Sequence, residues 1–267
     1  MNENVYFEGL ICPAGEASIP AVSAAALYGK GIFTTVAVRH GAPWLWEKHW
    51  QRLEGDALKL DLDLRGHTAM SFYGALQQIV KANALSNGRA RATFFDRRGG
   101  GQWPFKIVPH SSLLITTADN HPPTADFILG LSAYRVNHRS PLTGVKSCCY
   151  LENLWAKQDA KTNDWAEAVR LNTDGEVASG CMSNIFWLRN GELHTPPLIS
   201  GCLPGTTRAF VMENIECIES AARLEKLDEA EAIYLTSAGI GVTRVTSYRG
   251  RKLGGADHPI MKLIPRV

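Results

Sequence analysis

The chain has 267 residues, 45% of them hydrophobic and 20% charged, with a formal charge of +2. That length holds one large or two small domains with a real core, and the near-neutral charge argues against a nucleic-acid or membrane-surface partner. No apolar run approaches the roughly 20 residues of a membrane helix, and the opening MNENVYFEGLICPAGE lacks the basic start and long apolar stretch of a signal peptide.

Residues 4–11 and 31–39 (GIFTTVAVR) read as strands, the second following the glycine-bracketed turn LYGKG. Residues 44–60 read as a helix. Trp46, Trp50, Leu53, Ala57 and Leu60 recur there at spacings of 4, 3, 4 and 3, which makes one apolar stripe. His49 and Arg52, three apart, lie together beside that stripe. Arg52 is either a solvated helix residue or an anion clamp. Residues 68–85 read as a second helix with Met70, Tyr73, Leu76, Ile79 and Val80 on its buried face, ended by SNG. RARATFFDR at 89–97 alternates as a strand. The glycines of the following RRGGGQWP loop lack the P-loop pattern. Arg97 and Arg98 are either a substrate clamp or a solvated loop end. A strand over 113–117 precedes a polar stretch, 118–126, that contains Pro122 and Pro123. This is the expected domain boundary: a small domain at 1–118, a linker at 119–126 and a large domain at 127–267.

Residues 127–136 read as a strand leading to a turn that carries Lys146. Its neighbours are Gly144, Val145, Ser147, Cys148 and Cys149, none of them charged. A lysine in such surroundings loses ammonium hydration, its pKa falls, and its free amine becomes available. That is the condition for a Schiff-base lysine; the alternative is a surface loop lysine. The six cysteines form no CxxC pair, so no metal site is expected, and reduced thiols in a cytoplasmic chain are.

A helix is expected over 151–161 and a strand over 166–171. Strands at 176–178 and 183–188 bracket Ser179–Met182, and the NG of RNGE (189–192) marks a hairpin turn. After Gly201, Pro204 and Gly205, Thr206 and Thr207 open a helix. A helix entry with free N–H groups, two hydroxyls and the positive macrodipole end suits a phosphate. It also suits a plain threonine N-cap. Residues 231–236 read as a strand, and the small-residue loop at 237–241 is a second candidate anion nest. DHPIMKLI reads as a short final helix.

Taken in order, these segments resemble a class IV aminotransferase. That is the fold type IV group of pyridoxal 5'-phosphate (PLP) enzymes, which includes branched-chain and D-amino-acid aminotransferases and aminodeoxychorismate lyase. LYGKGIFTT resembles the family's opening strand and EKHWQRL its HxxRL helix. VKSCCYLENLWAKQDA resembles the segment of the catalytic lysine. GEVASGCMSNIFWLRNGELHTPPLISGCLPGTTR resembles the long signature ending in LPGxTR, and LTSAGIGVTRV the last active-site loop. The resemblance covers nearly the whole chain. It implies an α+β fold of two α/β domains with PLP in the cleft between them, the lysine on the large domain, and a homodimer.

The resemblance also implies roles. Lys146 would hold PLP as a Schiff base and shuttle the substrate proton. Arg52 would grip the phosphate, with Thr206 and Thr207 completing its cup. Ser237, with Thr236, would touch the phosphate or the substrate carboxylate, and Tyr150 would approach the ring. Tyr28, Phe33, Arg98 and Ala238 would line the substrate pocket. The substrates would be an amino donor and a 2-oxo acid, or aminodeoxychorismate, which gives pyruvate and 4-aminobenzoate.

One departure bears on the chemistry. The family's glutamate for the pyridine nitrogen falls at Ser179, counting back from SNIF. Glu176, three positions away, points to the opposite face of a strand. A serine cannot hold that nitrogen protonated with full charge, which leaves three options: chemistry that needs a weaker electron sink, another group that supplies the charge, or a vestigial activity. Ser23, Lys30 and Arg244 depart from the pattern more mildly, and the last two add positive charge.

Overall fold

A computed structural model describes residues 1–97, 111–120, 125–254 and 257–264. The chain forms two units: Met1–His121 with Val145–Cys149, and Pro122–Gly144 with Tyr150–Arg266.

The first unit is a six-stranded sheet in the order β2-β1-β6-β5-β3-β4. Its elements are β1 (Asn4–Phe7), β2 (Leu10–Pro13), α1 (Ala24–Tyr28), β3 (Gly31–Arg39), β4 (Ala42–Pro43), α2 (Trp46–Lys59), α3 (Ala69–Ala82), β5 (Gly88–Asp96) and β6 (Ser111–Asp119). The expected single strand over 4–11 is a hairpin, because Glu8 (φ 50°) and Gly9 (φ 88°) turn the chain left-handed between β1 and β2. The helix expected from residue 44 starts at Trp46, after Pro43 in β4 and a left-handed Leu45. α3 begins where Thr68 and Ser71 form a reciprocal cap.

Alternation along β3 and β5 puts Ile32, Val36, Ala90, Ala92 and Phe94 into a core with Trp50 and Leu53 of α2 and Phe72, Leu76 and Ile79 of α3. The expected buried face of α3 was set slightly out of phase. Met70 is 68% exposed, and Phe72 and Ala75, one turn before Leu76 and Ile79, are buried instead.

Residues 146–148 add a short edge beside the first half of β3. Ser147 bridges Ile32, Phe33 donates its N–H to the Lys146 carbonyl (2.9 Å), and Cys148 donates to the Gly31 carbonyl (2.8 Å). These bonds group the lysine segment with the first unit. Gly31 permits the close approach, since a Cβ there would lie 2.8 Å from the Phe94 carbonyl and 3.0 Å from Cys148 Sγ.

The second unit contains β7 (Ile128–Leu131), α4 (Leu151–Thr162), β8 (Glu167–Leu171), β9 (Val177–Gly180), β10 (Asn184–Arg189), β11 (Glu192–Thr195), α5 (Thr206–Asn214), β12 (Ile218–Glu219), α6 (Leu224–Asp228), β13 (Ala232–Ser237), β14 (Gly241–Arg244), β15 (Ser247–Tyr248), β16 (Arg251–Lys252) and α7 (Ile260–Leu263). They form two five-stranded sheets, β12-β11-β10-β13-β14 and β16-β15-β7-β8-β9. A core of Leu129, Val169, Val177, Ile185, Trp187, Ile233 and Leu235 joins them. Asn190 and Gly191 both take positive φ, the turn that the NG pair demands between β10 and β11. The strand expected over 127–136 stops at Leu131, and Val136 makes only an isolated bridge to Asn172.

Candidate active site

Lys146 is held by its main chain before its side chain does anything. Its N–H donates to Asp56 Oδ2 at 3.1 Å, and its carbonyl accepts from Phe33. The half-buried side chain places Nζ 4.5 Å from the centroid of the Phe33 ring. The Arg91 guanidinium lies 3.6 Å from the same centroid. Burial, then the charges of Arg52 and Arg91, lower the lysine's pKa to about 7, with Asp56 opposing them. Near neutral pH much of this lysine is therefore free amine, a nucleophile poised for a carbonyl carbon.

Arg52 comes from α2, three residues after His49. It donates to Thr34 Oγ1 at 2.6 Å, and that oxygen lies 2.6 Å from His49 Nδ1. His49 is buried, and burial followed by the charges of Arg52 and Lys146 holds its pKa well below 6.5, so the ring is neutral at physiological pH. A hydroxyl that accepts from Arg52 has its own proton to give, and Nδ1 of a neutral imidazole takes it. The guanidinium is thus fixed through a buried relay on β3 and α2.

The second unit contributes a helix entry with buried threonines. Thr206 and Thr207 are buried in the first turn of α5, whose N-cap, Gly205, offers no side-chain cap. A Cβ at Gly205 would fall 2.0 Å from Asn184 Oδ1, so any side chain there would have to displace Asn184. Asn184 also donates to the Leu203 carbonyl at 2.8 Å and thereby pins the loop before the helix. Arg208 donates to the Pro196 carbonyl (3.0 Å) and pairs with Glu219, which anchors the same turn. Asn184 stands opposite Thr236 of β13. The hydroxyls of Thr207 and Thr236 are buried with no hydrogen-bond partner among the described residues. Buried polar atoms normally have partners, so two orphaned hydroxyls, one of them at a helix entry, fit a ligand carrying phosphate oxygens. Taken separately, the amine of the first unit suits an aldehyde and the donor set of the second suits a phosphate.

Other expected site residues fall as follows. Ser237 Oγ accepts from the Ile240 N–H at 3.4 Å, and Ser237 and Ala238 are half-buried in the turn after β13. Tyr150 is the half-buried N-cap of α4. Tyr28 ends α1 and is exposed, while Phe33 is buried on β3. Arg98 lies outside the described residues. Ser179 is half-buried on β9, opposite Arg170 of β8. Arg170 donates to the carbonyls of Tyr134 (3.0 Å) and Arg135 (2.9 Å). The carboxylate of Glu176 accepts from Asn172 (3.0 Å) and Ser200 (3.3 Å), so it is committed elsewhere. Lys30 pairs with Asp96 at 3.5 Å, and Ser23 caps α1.

The sequence reading missed Thr34, Asp56 and Arg91. The signal for the first two was a polar residue on a face that packing makes apolar. Thr34 shares its side of β3 with Ile32 and Val36, and Asp56 sits beside Ala57 on the buried side of α2. Arg91 sits opposite Thr35, on the Phe33 face of the sheet. Among the described residues, no cluster of three or more His, Cys, Asp or Glu could hold a metal, and no helix is long and apolar enough to cross a membrane.

The profile of the family described as amino-transferase class IV matches residues 31–248. Among curated relatives, the chain is 26% identical to an aminodeoxychorismate lyase of Bacillus subtilis, over 91% of this chain and 85% of that one. It is 28% identical to a putative branched-chain-amino-acid aminotransferase of Methanocaldococcus jannaschii, over 92% and 88%. Among solved structures, a branched-chain aminotransferase from Thermoproteus uzoniensis superposes with a TM-score of 0.90 at 24% identity, covering 98% of this chain and 92% of that one.

Proposed function

We propose that this chain, which belongs to the class IV amino-transferase family, binds PLP at Lys146 and transfers an amino group between an amino acid or amine and a 2-oxo acid. The observation that carries this reading is the lysine itself. Its backbone is anchored, its amine stands over an aromatic ring, and burial and two arginines bring its pKa to about 7. When bound, the cofactor supplies an electrophilic aldehyde and an electron-withdrawing ring.

The chain's own groups then divide the work. Lys146 Nζ would hold the cofactor at its aldehyde carbon and would carry the proton at the substrate's α-carbon. Arg52, held by Thr34, and the hydroxyls of Thr206, Thr207, Thr236 and Ser237 would take the phosphate. Tyr150 and Ser179 would serve the ring, Ser179 as the partner of its nitrogen. Tyr28, Phe33 and Ala238 would shape the substrate pocket. With a serine in place of a carboxylate, the ring nitrogen would be held less firmly protonated, which would favour reactions that need a weaker electron sink.

A second reading is aminodeoxychorismate lyase, releasing pyruvate and 4-aminobenzoate. It is supported by the relative of that name matching 91% of the chain. A third reading, a non-catalytic family member, rests on Ser179. The purified PLP-loaded protein separates the three. A panel of L- and D-amino acids and amines should change the cofactor's absorbance if it is an aminotransferase. Release of fluorescent 4-aminobenzoate from aminodeoxychorismate, with no donor response, would replace that reading with the lyase. No response in either assay would leave only the non-catalytic reading.

The protein is further proposed to be a cytoplasmic homodimer. All six cysteines are free thiols, which suits a reducing compartment. The apolar side chains of Leu151, Leu154 and Trp155 stand exposed on α4, a surface that a second copy would cover.

A further inference from the structure

We propose that Asp56 is the positioning residue for Lys146. Its buried carboxylate fixes the lysine's main chain and places a negative charge near its amine, so that it sets where the amine stands and the pH at which the amine becomes free. The inference rests on Lys146 being the reactive amine.

Asp56 is only 2% exposed. A carboxylate that deep is costly unless its charge is answered. Its geometry shows what answers it. Asp56 lies one turn after Arg52 on α2, an i, i+4 neighbour on the same side of the helix. Oδ2 accepts the Lys146 N–H at 3.1 Å, a bond between residues 90 apart in sequence. That bond ties the added edge segment to α2, in addition to the two bonds that tie it to β3. A serine or asparagine side chain could accept the same N–H. What the carboxylate adds is charge.

The charged groups around it are Arg52 and Lys59 of α2 and Lys146 itself. Lys146 in turn faces Arg52 and Arg91. On balance burial raises the Asp56 pKa, while the Lys146 N–H, Arg52 and the two lysines pull against it and favour the ionised form. Burial and then two arginines drive the lysine towards its neutral form, and Asp56 opposes them. Removing the charge of Asp56 therefore lowers the pH at which the amine becomes free. Removing the acceptor loosens the lysine's backbone. The two roles are separable.

Three variants separate them in the cofactor-free protein. Asp56→Asn keeps a carbonyl acceptor and loses the charge, Asp56→Ala loses both, and Asp56→Glu keeps the charge. The first readout is the pH dependence of Lys146 methylation by formaldehyde and cyanoborohydride, followed by peptide mass. The second is hydrogen exchange at the Lys146 amide. In D56N the methylation midpoint should fall by about one pH unit, speeding modification at pH 6 about fivefold, with exchange unchanged. D56A should show the same shift and exchange at least about tenfold faster. D56E should keep the wild-type midpoint. A D56N midpoint equal to wild type overturns the electrostatic role. Wild-type exchange in D56A overturns the anchoring role. If D56A does not fold, D56N against D56E still decides the charge. Failure of wild-type protein to form a borohydride-fixed PLP adduct at Lys146 would instead sink the functional reading and leave both readouts standing.

Discussion

At the scale of single residues, the site is defined by groups whose surroundings contradict their usual chemistry. Lys146 is a lysine that gives up its proton near pH 7 rather than at its ordinary 10.5. Between those two values the unfolded chain binds a proton that the folded chain does not. Stability contributed at this position therefore rises with pH across that window and is lost as pH falls towards 7. Lys146→Met should flatten that slope and raise the cofactor-free melting temperature most at the acid end, as a thermal-shift series over pH would reveal.

Thr207 and Thr236 are the converse, hydroxyls buried without partners. Replacing either with valine keeps the shape and removes an unsatisfied group. The cofactor-free protein should lose no stability, while PLP affinity should fall about tenfold or more, the worth of a hydrogen bond to a charged group. A titration of PLP absorbance beside a melting curve checks both halves. A loss of stability without a loss of affinity would make these threonines structural.

Among the elements, two devices hold these residues in place. The first is the β3–α2 relay. Thr34→Val removes the bonds to Arg52 and His49 together and should cost about 1–3 kcal/mol of stability, measured by denaturant unfolding, besides weakening PLP binding. The second is the loop before α5. Gly205→Ala would drive a Cβ into Asn184 Oδ1, and the strain of displacing that side chain should cost about 1–3 kcal/mol and lower PLP affinity as the helix entry shifts.

Much of this was legible in the chain before folding. The 4, 3, 4, 3 stripe gave α2, the NG pair gave its hairpin, and the Gly-Thr-Thr run gave the entry of α5. Arg52 and Lys146 were visible as motif residues. What the sequence left hidden were pairings distant along the chain. Nothing local says that residues 146–148 add an edge to β3 or that Asp56 reaches across to an amide 90 positions away. The phase of α3 was misread at Met70 because the pattern of apolar residues there fits two adjacent faces, and only the sheet decides which is covered. The hairpin at Glu8–Gly9 was missed because alternation continues through its turn.

For the molecule as a whole, membership of the class IV amino-transferase family stands beside two proposals, PLP at Lys146 and its ring nitrogen at Ser179. Ser179→Glu would bring a carboxylate opposite the buried Arg170. If Ser179 stands at the ring nitrogen, the variant should speed the cofactor's spectral response to an amino donor by roughly 100-fold, a few kcal/mol of transition-state stabilisation. No change, or a fall with wild-type PLP affinity, would place the ring nitrogen elsewhere. The most direct test of the central claim is the fate of Lys146 when PLP-loaded protein is reduced with borohydride and mapped by peptide mass. The account predicts one reduced pyridoxyl phosphate, on Lys146 alone, absent from Lys146→Ala. An adduct spread over other lysines, or none at all, would contradict it.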